Sequence, residues 1–351
     1  MTSTIESGQG SLVYPFSAPP DIGRAIEVAP GIFWARVPLP FRLNHVNVYL
    51  IEDGDGWAVV DTGLDYEAGR AAWESLLAEP MGGRPITRII VTHLHPDHIG
   101  LAGWLCRKFD APMLTAQSSY LGCLNVALRP GTLTDGAYRD FYLHNGFDAA
   151  TMEQINTEGH AYLWKVAPLP LTFSRLIPGD ALDIGGHRFS VLMGEGHAVD
   201  QIMLHCEAEN LFLAADQVLA KITPNVSVWP VEPDGDPLGL YLRSLEEIKA
   251  AVSDDALVLP GHQLPFYRLH TRCDELVAHH FARCDAIRKA CLQRPHSAAE
   301  LVPVLFHIEL DAHQMGFAFS EVMAHVNYMA RRGVLARERA SGDVYHYRIR
   351  D

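Results

Sequence analysis

The chain has 351 residues, 48% of them hydrophobic and 20% charged; 28 Lys and Arg against 42 Asp and Glu give a formal net charge of -14. That length supplies core for two domains, or for one large domain with an appendage. The acidic balance excludes a nonspecific grip on nucleic acid or anionic lipid, and no uncharged apolar run is long enough for a membrane-spanning helix.

Residues 1–22 carry Gly, Ser and Pro with little pattern, and an irregular arm is expected. Residues 1–7 have neither a basic stretch nor an apolar core, so no secretory signal is read and a cytoplasmic location is expected. The six cysteines (Cys106, Cys123, Cys206, Cys273, Cys284 and Cys291) make no C-x-x-C pair and read as free thiols. Residues 25–37 read as a strand pair turning at Pro30 and Gly31. The alternation over 46–51 predicts a strand, Asp53-Gly54-Asp55-Gly56 a hairpin turn, and 57–60 the return strand, which runs into Asp61-Thr62-Gly63. An amphipathic helix is expected over 65–79, with Asp65 as its N-cap.

The β-branched run Arg88-Ile89-Ile90-Val91 predicts a buried strand, and His93, His95, Pro96, Asp97 and His98 follow it at once. Pro96 stops the strand. From Ile99 through Leu101, Trp104 and Leu105 the apolar spacing is helical. The polar cluster therefore sits on a tight loop at the C-terminal end of a strand, where open α/β sheets place ligands. His93 and His95 are two apart, so an extended backbone points both rings to one side, where they can share a metal. Asp97 and His98 come after the turn and can face a second. Imidazole and carboxylate suit zinc, and are compatible with iron or manganese.

Residues 112–115 read as a short strand. Residues 117–175 break the rhythm: they are helical in character and carry Tyr120, Tyr138, Phe141, Tyr142, Phe147, Tyr162 and Trp164. Such an insertion serves as a lid over the site or as a core of its own. Strands are expected at 182–187, 188–192, 202–205 and 211–215, a helix at 240–252, and a short strand at 257–262. Strands that end in His or Asp recur at His93, His197, Asp216 and His262. A core gains nothing from polar residues repeated at strand ends; a shared metal centre at one rim of the sheets does.

These residues resemble the metallo-β-lactamase-fold hydrolases: His93-x-His95-x-Asp97-His98, then His197, Asp216 and His262, over roughly residues 25–270. The resemblance implies an α/β fold, an αββα sandwich with metals at one edge, in a catalytic domain of residues 1–270. It implies two zinc ions. His93, His95 and His197 would hold the first, Asp97, His98 and His262 the second, and Asp216 would bridge them. A water held between the cations would be the nucleophile, with Asp97 taking part in catalysis. Asp61, before Thr-Gly, would orient ligands from behind. Position 216 is Asp rather than the Cys of the lactamases proper, and the Gly196-His197-Ala198-Val199 loop departs from the usual G-H-T-P. The chain is most similar to glyoxalase II-like and lactonase-like members. Lys221, Asn225, Tyr267, His270 and Arg272 lie near the ligands in sequence; Lys221, Tyr267 and Arg272 are the candidates for holding substrate.

Residues 271–351 predict a helix at 274–292, a cap and helix start at His296-Ser297, a helix at 319–332 and a hairpin centred on Ser341-Gly342-Asp343, a pattern that resembles a winged helix. Eleven Arg and Lys against ten Asp and Glu leave this segment no basic stripe, so nucleic acid is not expected as a partner. A packing or dimerisation module is expected, which leaves a homodimer open. The sequence thus predicts a dinuclear zinc hydrolase of a small acyl substrate, a thioester or a lactone/ester. The alternatives are a phosphodiesterase or nuclease on the same fold, a mononuclear-iron sulfur dioxygenase, and a non-enzymatic regulator.

Overall fold

Alternating side chains along the N-terminal strands feed two different cores, and this sets the layering. The computed structural model describes residues 11–128, 136–158, 165–339 and 341–350. The elements in chain order are β1 (Ala25–Ala29), β2 (Ile32–Pro38), β3 (His45–Asp53), β4 (Gly56–Val60), α1 (Glu67–Ala78), β5 (Ile86–Ile90), α2 (Pro96–Ile99), α3 (Ala102–Phe109), β6 (Met113–Thr115), α4 (Gln117–Leu128), α5 (Gly136–His144) and α6 (Ala149–Glu158). There follow β7 (Ser174–Arg175), β8 (Ala181–Ile184), β9 (His187–Gly194), β10 (Gln201–Cys206), β11 (Leu211–Ala215), α7 (Pro237–Ala251), β12 (Leu257–Pro260), α8 (Leu269–Gln293), α9 (Ala298–Leu305), α10 (Ala312–Arg331), β13 (Leu335–Arg339) and β14 (Tyr345–Ile349). Two compact units result: Met1–Asn125, Lys165–Pro224 and Glu246–Cys273 form the first, and Val126–Trp164, Asn225–Leu245 and Asp274–Asp351 the second.

In the first unit, β1 to β7 form one sheet in sequence order and β12-β11-β10-β9-β8 the other. On β3, Val46, Val48 and Leu50 face the helix side, while Tyr49 and Ile51 face the second sheet. The period of two is what a strand demands when both faces are buried. The outer core adds Trp57, Val59, Trp73, Leu76 and Leu105, so α1 and α3 cover that face. The inner core joins Trp34, Val60 and Ile90 to Phe189, Val191, Leu204, Leu213 and Leu259. Met203, Phe212 and Val258 point the opposite way and are buried too, so the second sheet is covered on its far side. The αββα order follows, with mixed sheets: β4 to β7 run parallel, as do β11 and β12.

Helix α1 starts later than expected. Its N-cap is Tyr66, with no side-chain cap, because the Asp65 carboxylate is held by the guanidinium of Arg70, 2.7 Å from Nε. Helix α10 starts earlier, at Ala312, since Asp311 and Gln314 form a capping box that the weak apolar pattern before Phe319 conceals.

The aromatics of the 117–175 segment divide. Tyr120 stacks on Phe173 in the first unit, centroids 4.2 Å apart. Phe141, Tyr142 and Phe147 surround Phe319 in the second, at 5.7, 5.5 and 4.7 Å. These three therefore serve as core. Tyr138 lies on α5; Tyr162 and Trp164 lie outside the described residues. The second unit also holds the β13–β14 hairpin, which His296 extends by exchanging backbone bonds with Tyr347. Ser297 and Glu300 cap α9 with a full capping box. Among the described residues, no helix is long and apolar enough to cross a membrane.

Phe319 is fully buried at the centre of the aromatic cluster. Phe319→Ala is expected to cost about 3–5 kcal/mol, and Phe319→Leu clearly less. Urea denaturation followed by fluorescence and circular dichroism checks both.

Candidate metal centre

Every candidate ligand, and Asp61 behind them, follows the C-terminal end of a strand. Asp61 comes after β4, His93 and His95 after β5, His197 after β9, Asp216 after β11 and His262 after β12. Asp97 and His98 are the second and third residues of α2, whose first position is Pro96. A proline there loses no helical hydrogen bond and turns the chain from extended to helical within the cluster.

The side chains converge as three overlapping triads: His93, His95 and His197; His93, His98 and Asp216; Asp97, His98 and His262. Asp216 sits between them. Its Oδ1 is 3.5 Å from His98 Nε2, and its Oδ2 is 3.5 Å from His197 Nε2 and 3.3 Å from His262 Nε2. Asp97 Oδ2 is 3.4 Å from His262 Nε2 and 3.7 Å from His98 Nε2. His93, His98, Asp216 and His262 are buried, whereas His95, Asp97 and His197 are only partly so and form the open face.

Hydrogen bonds behind the rings fix which nitrogen looks inward. Thr92 donates its backbone N–H to Asp61 Oδ1 and its hydroxyl to Asp61 Oδ2, each at 2.8 Å. With that hydroxyl proton spent, His93 Nδ1–H donates to Thr92 Oγ1 at 2.9 Å. His98 Nδ1 donates to Asp61 Oδ2 at 2.7 Å, and His262 Nδ1 to the carbonyl of His45 at 2.8 Å. Each ring therefore turns its Nε2 toward the centre, the arrangement metal-binding histidines adopt.

The donor set fits divalent cations. His98 Nε2 and Asp216 Oδ1 are buried and have no hydrogen-bond partner. His93 Nε2 lies 2.9 Å from His95 Nδ1, two ring nitrogens brought face to face. Three carboxylates share the site, and such a buried group needs positive charge. Burial alone pushes the His98 and His262 rings down. Asp216, Asp61 and Asp97 outweigh it at His98 and raise that ring well above its usual value; Asp216 and Asp97 raise His262 to about 10. Burial pushes Asp97 and Asp216 up, but the same two rings hold both below the usual carboxylate range. His93 is pushed well down and His95 to about 3, by burial first and then by neighbouring rings, so both are neutral donors. Protons and metal cations compete for the same carboxylates here.

A clamp that the sequence reading missed holds the His262 loop. Asn47 donates from Nδ2 to the carbonyls of Pro260 and Gln263, and from its backbone N–H to Gly261. Tyr49 Oη donates to Pro260 O at 2.7 Å, and Arg36 Nη2 to Gln263 O at 2.9 Å. Polar residues that alternate with apolar ones on a strand read as solvent-facing, so nothing local marked them. Gly261 was also missed: a Cβ there would lie 2.1 Å from Asp216 Oδ1. Asp61, Ala215 and Gln263 all have positive φ (62°, 46° and 71°), so strained backbone gathers where the ligands leave the strands.

The three candidate substrate residues fare differently. Arg272 is buried and donates to the carbonyls of Leu219 and Ile222, so it builds the 219–222 loop. Tyr267 pairs its backbone with Val13 and packs on the inner core. Lys221 is exposed, with Nζ 5.6 Å from the Tyr14 ring centroid, and Gln263 Oε1 accepts its backbone N–H. His270 Nε2 is spent on Val252 O, and Asn225 belongs to the second unit.

The profile of the Metallo-beta-lactamase superfamily matches residues 42–262, the stretch that carries all seven candidate ligands. The chain belongs to that superfamily. A second profile, the metallo-beta-lactamase-like C-terminal domain, matches residues 284–350 of this superfamily member. The crystal structure of a beta-lactamase domain protein from Burkholderia ambifaria is 39% identical, with a TM-score of 0.89 over 96% of this chain and 98% of that one. A probable metallo-hydrolase of Bacillus subtilis, YqjP, is 27% identical over 84% of this chain and 90% of its own length. The linear primary-alkylsulfatase of a Pseudomonas is 26% identical over 62% of this chain, which spans 41% of that larger protein. Family and candidate ligands together make this superfamily member a metal-dependent hydrolase.

Gly261→Ala is expected to displace the Asp216 carboxylate and weaken metal binding at least tenfold, with the circular dichroism of the fold retained. Metal analysis after dialysis against a graded chelator checks it.

Proposed function

We propose that the cluster holds two divalent cations, zinc first among them, and hydrolyses a small acyl substrate, a thioester or a lactone/ester. The observation that carries the reading is Asp216. Its two oxygens lie within 3.5 Å of His197, His98 and His262, so one carboxylate serves both triads. His93, His95 and His197 would hold one cation, Asp97, His98 and His262 the other, and Asp216 both. When bound, the cations supply an acidified water and an electrophile for the acyl oxygen.

The chain's own residues do the rest. Asp61 holds His93, through Thr92, and His98, and so keeps the inward lone pairs aimed. The Asp97 side chain is 24% exposed, against 8% for Asp216 and 4% for Asp61. It is the carboxylate at the open face, placed to meet a proton there. The carboxylate at 216, in place of cysteine, supports esters and thioesters over β-lactams. A net charge of -14 weighs against a nucleic acid. A sulfate ester is the second reading, and the likeness to the Pseudomonas alkylsulfatase favours it.

The zinc-loaded protein is expected to turn over an acyl thioester or a lactone of matched chain length, with His95→Ala as blank. Preference for an alkyl sulfate would transfer the assignment to the second reading; no turnover of the three would sink both. Asp97→Asn is expected to lower kcat by orders of magnitude. A fall under tenfold (~1.4 kcal/mol of barrier) would remove Asp97 from the chemistry.

A further inference from the structure

The second unit carries another set of metal-ligating side chains, and nothing in the hydrolytic cluster uses them. His280 on α8 faces Glu321 and His325 on α10, and their candidate donor atoms lie within 4.8 Å of one another. Glu321 and His325 are four apart, so one helix face presents both. The two rings are fully buried and Glu321 is nearly so.

We propose that His280, Glu321 and His325 form a second, separate binding site for a transition-metal dication, zinc or a close relative. His325 Nδ1 donates to the carbonyl of Glu321 at 2.7 Å, which leaves its Nε2 as a lone pair. That nitrogen lies 3.2 Å from His280 Nδ1. Tetrahedral zinc with Zn–N of about 2.0–2.1 Å sets neighbouring ligand nitrogens roughly 3.3 Å apart, so the two rings already stand at a ligand spacing. The other His280 nitrogen, Nε2, is buried without a hydrogen-bond partner. Burial first, then the neighbouring rings and Arg283, pushes His280 to about 2; burial outweighs the bond to the Glu321 carbonyl and takes His325 to about 4, so both rings are neutral donors. Glu321 is itself supported. Arg283 ion-pairs with Oε1, and Asn225 Nδ2 donates to Oε2 at 3.4 Å, a long contact that leaves this oxygen open to a cation. His325 and Glu321 are thus held from behind, as metal ligands characteristically are. Two nitrogens and one oxygen make a borderline donor set that suits zinc, cobalt or iron(II) over calcium or magnesium. Without a cation, the cluster is a single His–His hydrogen bond beside an Arg–Glu pair, and that is the competing account.

The test uses the wild-type chain first. Crystals equilibrated with zinc chloride and measured at the zinc edge are expected to show an anomalous peak between His280 and His325, besides those at the His93–His262 cluster. Peaks at that cluster alone overturn the proposal. A peak at His280 and His325 with none at the cluster would keep it and sink the hydrolytic reading instead. In solution, His325→Ala is expected to retain one equivalent of zinc fewer than wild type after dialysis; equal counts overturn the site. Should that variant fold poorly, Glu321→Gln preserves the shape and is expected to weaken zinc retention at this site at least tenfold, with unchanged retention counting against it.

Discussion

The carboxylate of Asp61 is the constraint on which the candidate centre depends. It accepts from Thr92 twice and from His98 once, and through the Thr92 hydroxyl it governs His93. One buried side chain thereby sets the orientation of two rings and ties the end of β4 to the end of β5. Its neighbours extend the clasp. Thr62 donates from its backbone and its hydroxyl to His98 O, and accepts from Leu101 N. Gly100 completes it, since a Cβ there would lie 2.6 Å from Gly63 O. A buried carboxylate is costly unless fully bonded; here its bonds are the device that holds the candidate ligands His93 and His98.

The same logic recurs on the other sheet. The His262 loop bears no rigid element of its own, so β2 and β3 reach across the inner core and hold its carbonyls through Arg36, Asn47 and Tyr49. The two sheets are then joined by apolar packing and by a polar seam at the rim. Positive φ at Asp61, Ala215 and Gln263 marks where the chain leaves ideal geometry to aim the ligands. Such strain persists only where the surroundings over-determine it, and packing on both faces of both sheets supplies that surplus.

Much of this was legible in the sequence, for a physical reason. The strand period and the apolar run before His93 are local, and a polar cluster at the end of such a run has few other uses. The β1–β2 and β3–β4 turns, the capping box at Ser297 and the terminal hairpin are local too, and the structure has them. What stayed hidden is what depends on partners far along the chain. Asp65 has the composition of a cap but is captured by Arg70. Asn47 looks like a solvent-facing strand residue and meets a loop more than 200 positions away. Arg272 has the charge to meet a substrate yet spends it on two backbone carbonyls. The core role of Phe141, Tyr142 and Phe147 emerges only when Phe319 is found among them.

Charge unites the site with its proposed chemistry. Asp61, Asp97 and Asp216 bring three carboxylates into one cluster, and two dications would bring four positive charges, so the filled centre would be near plus one with a neutral water and near zero once that water had lost its proton. A near-neutral centre would do little for a neutral thioester or lactone in the ground state. Cations there would stabilise the negative charge that builds on an acyl oxygen under attack, which is the differential binding that lowers a barrier. The burial pattern would give their field a direction. His93, His98, Asp216 and His262 are sealed behind the cluster, while His95, Asp97 and His197 face outward. The field of bound cations would therefore be least screened by protein ligands on that outward side. A chain of net charge -14 repels polyanions, which weighs against a nucleic acid strand at the site.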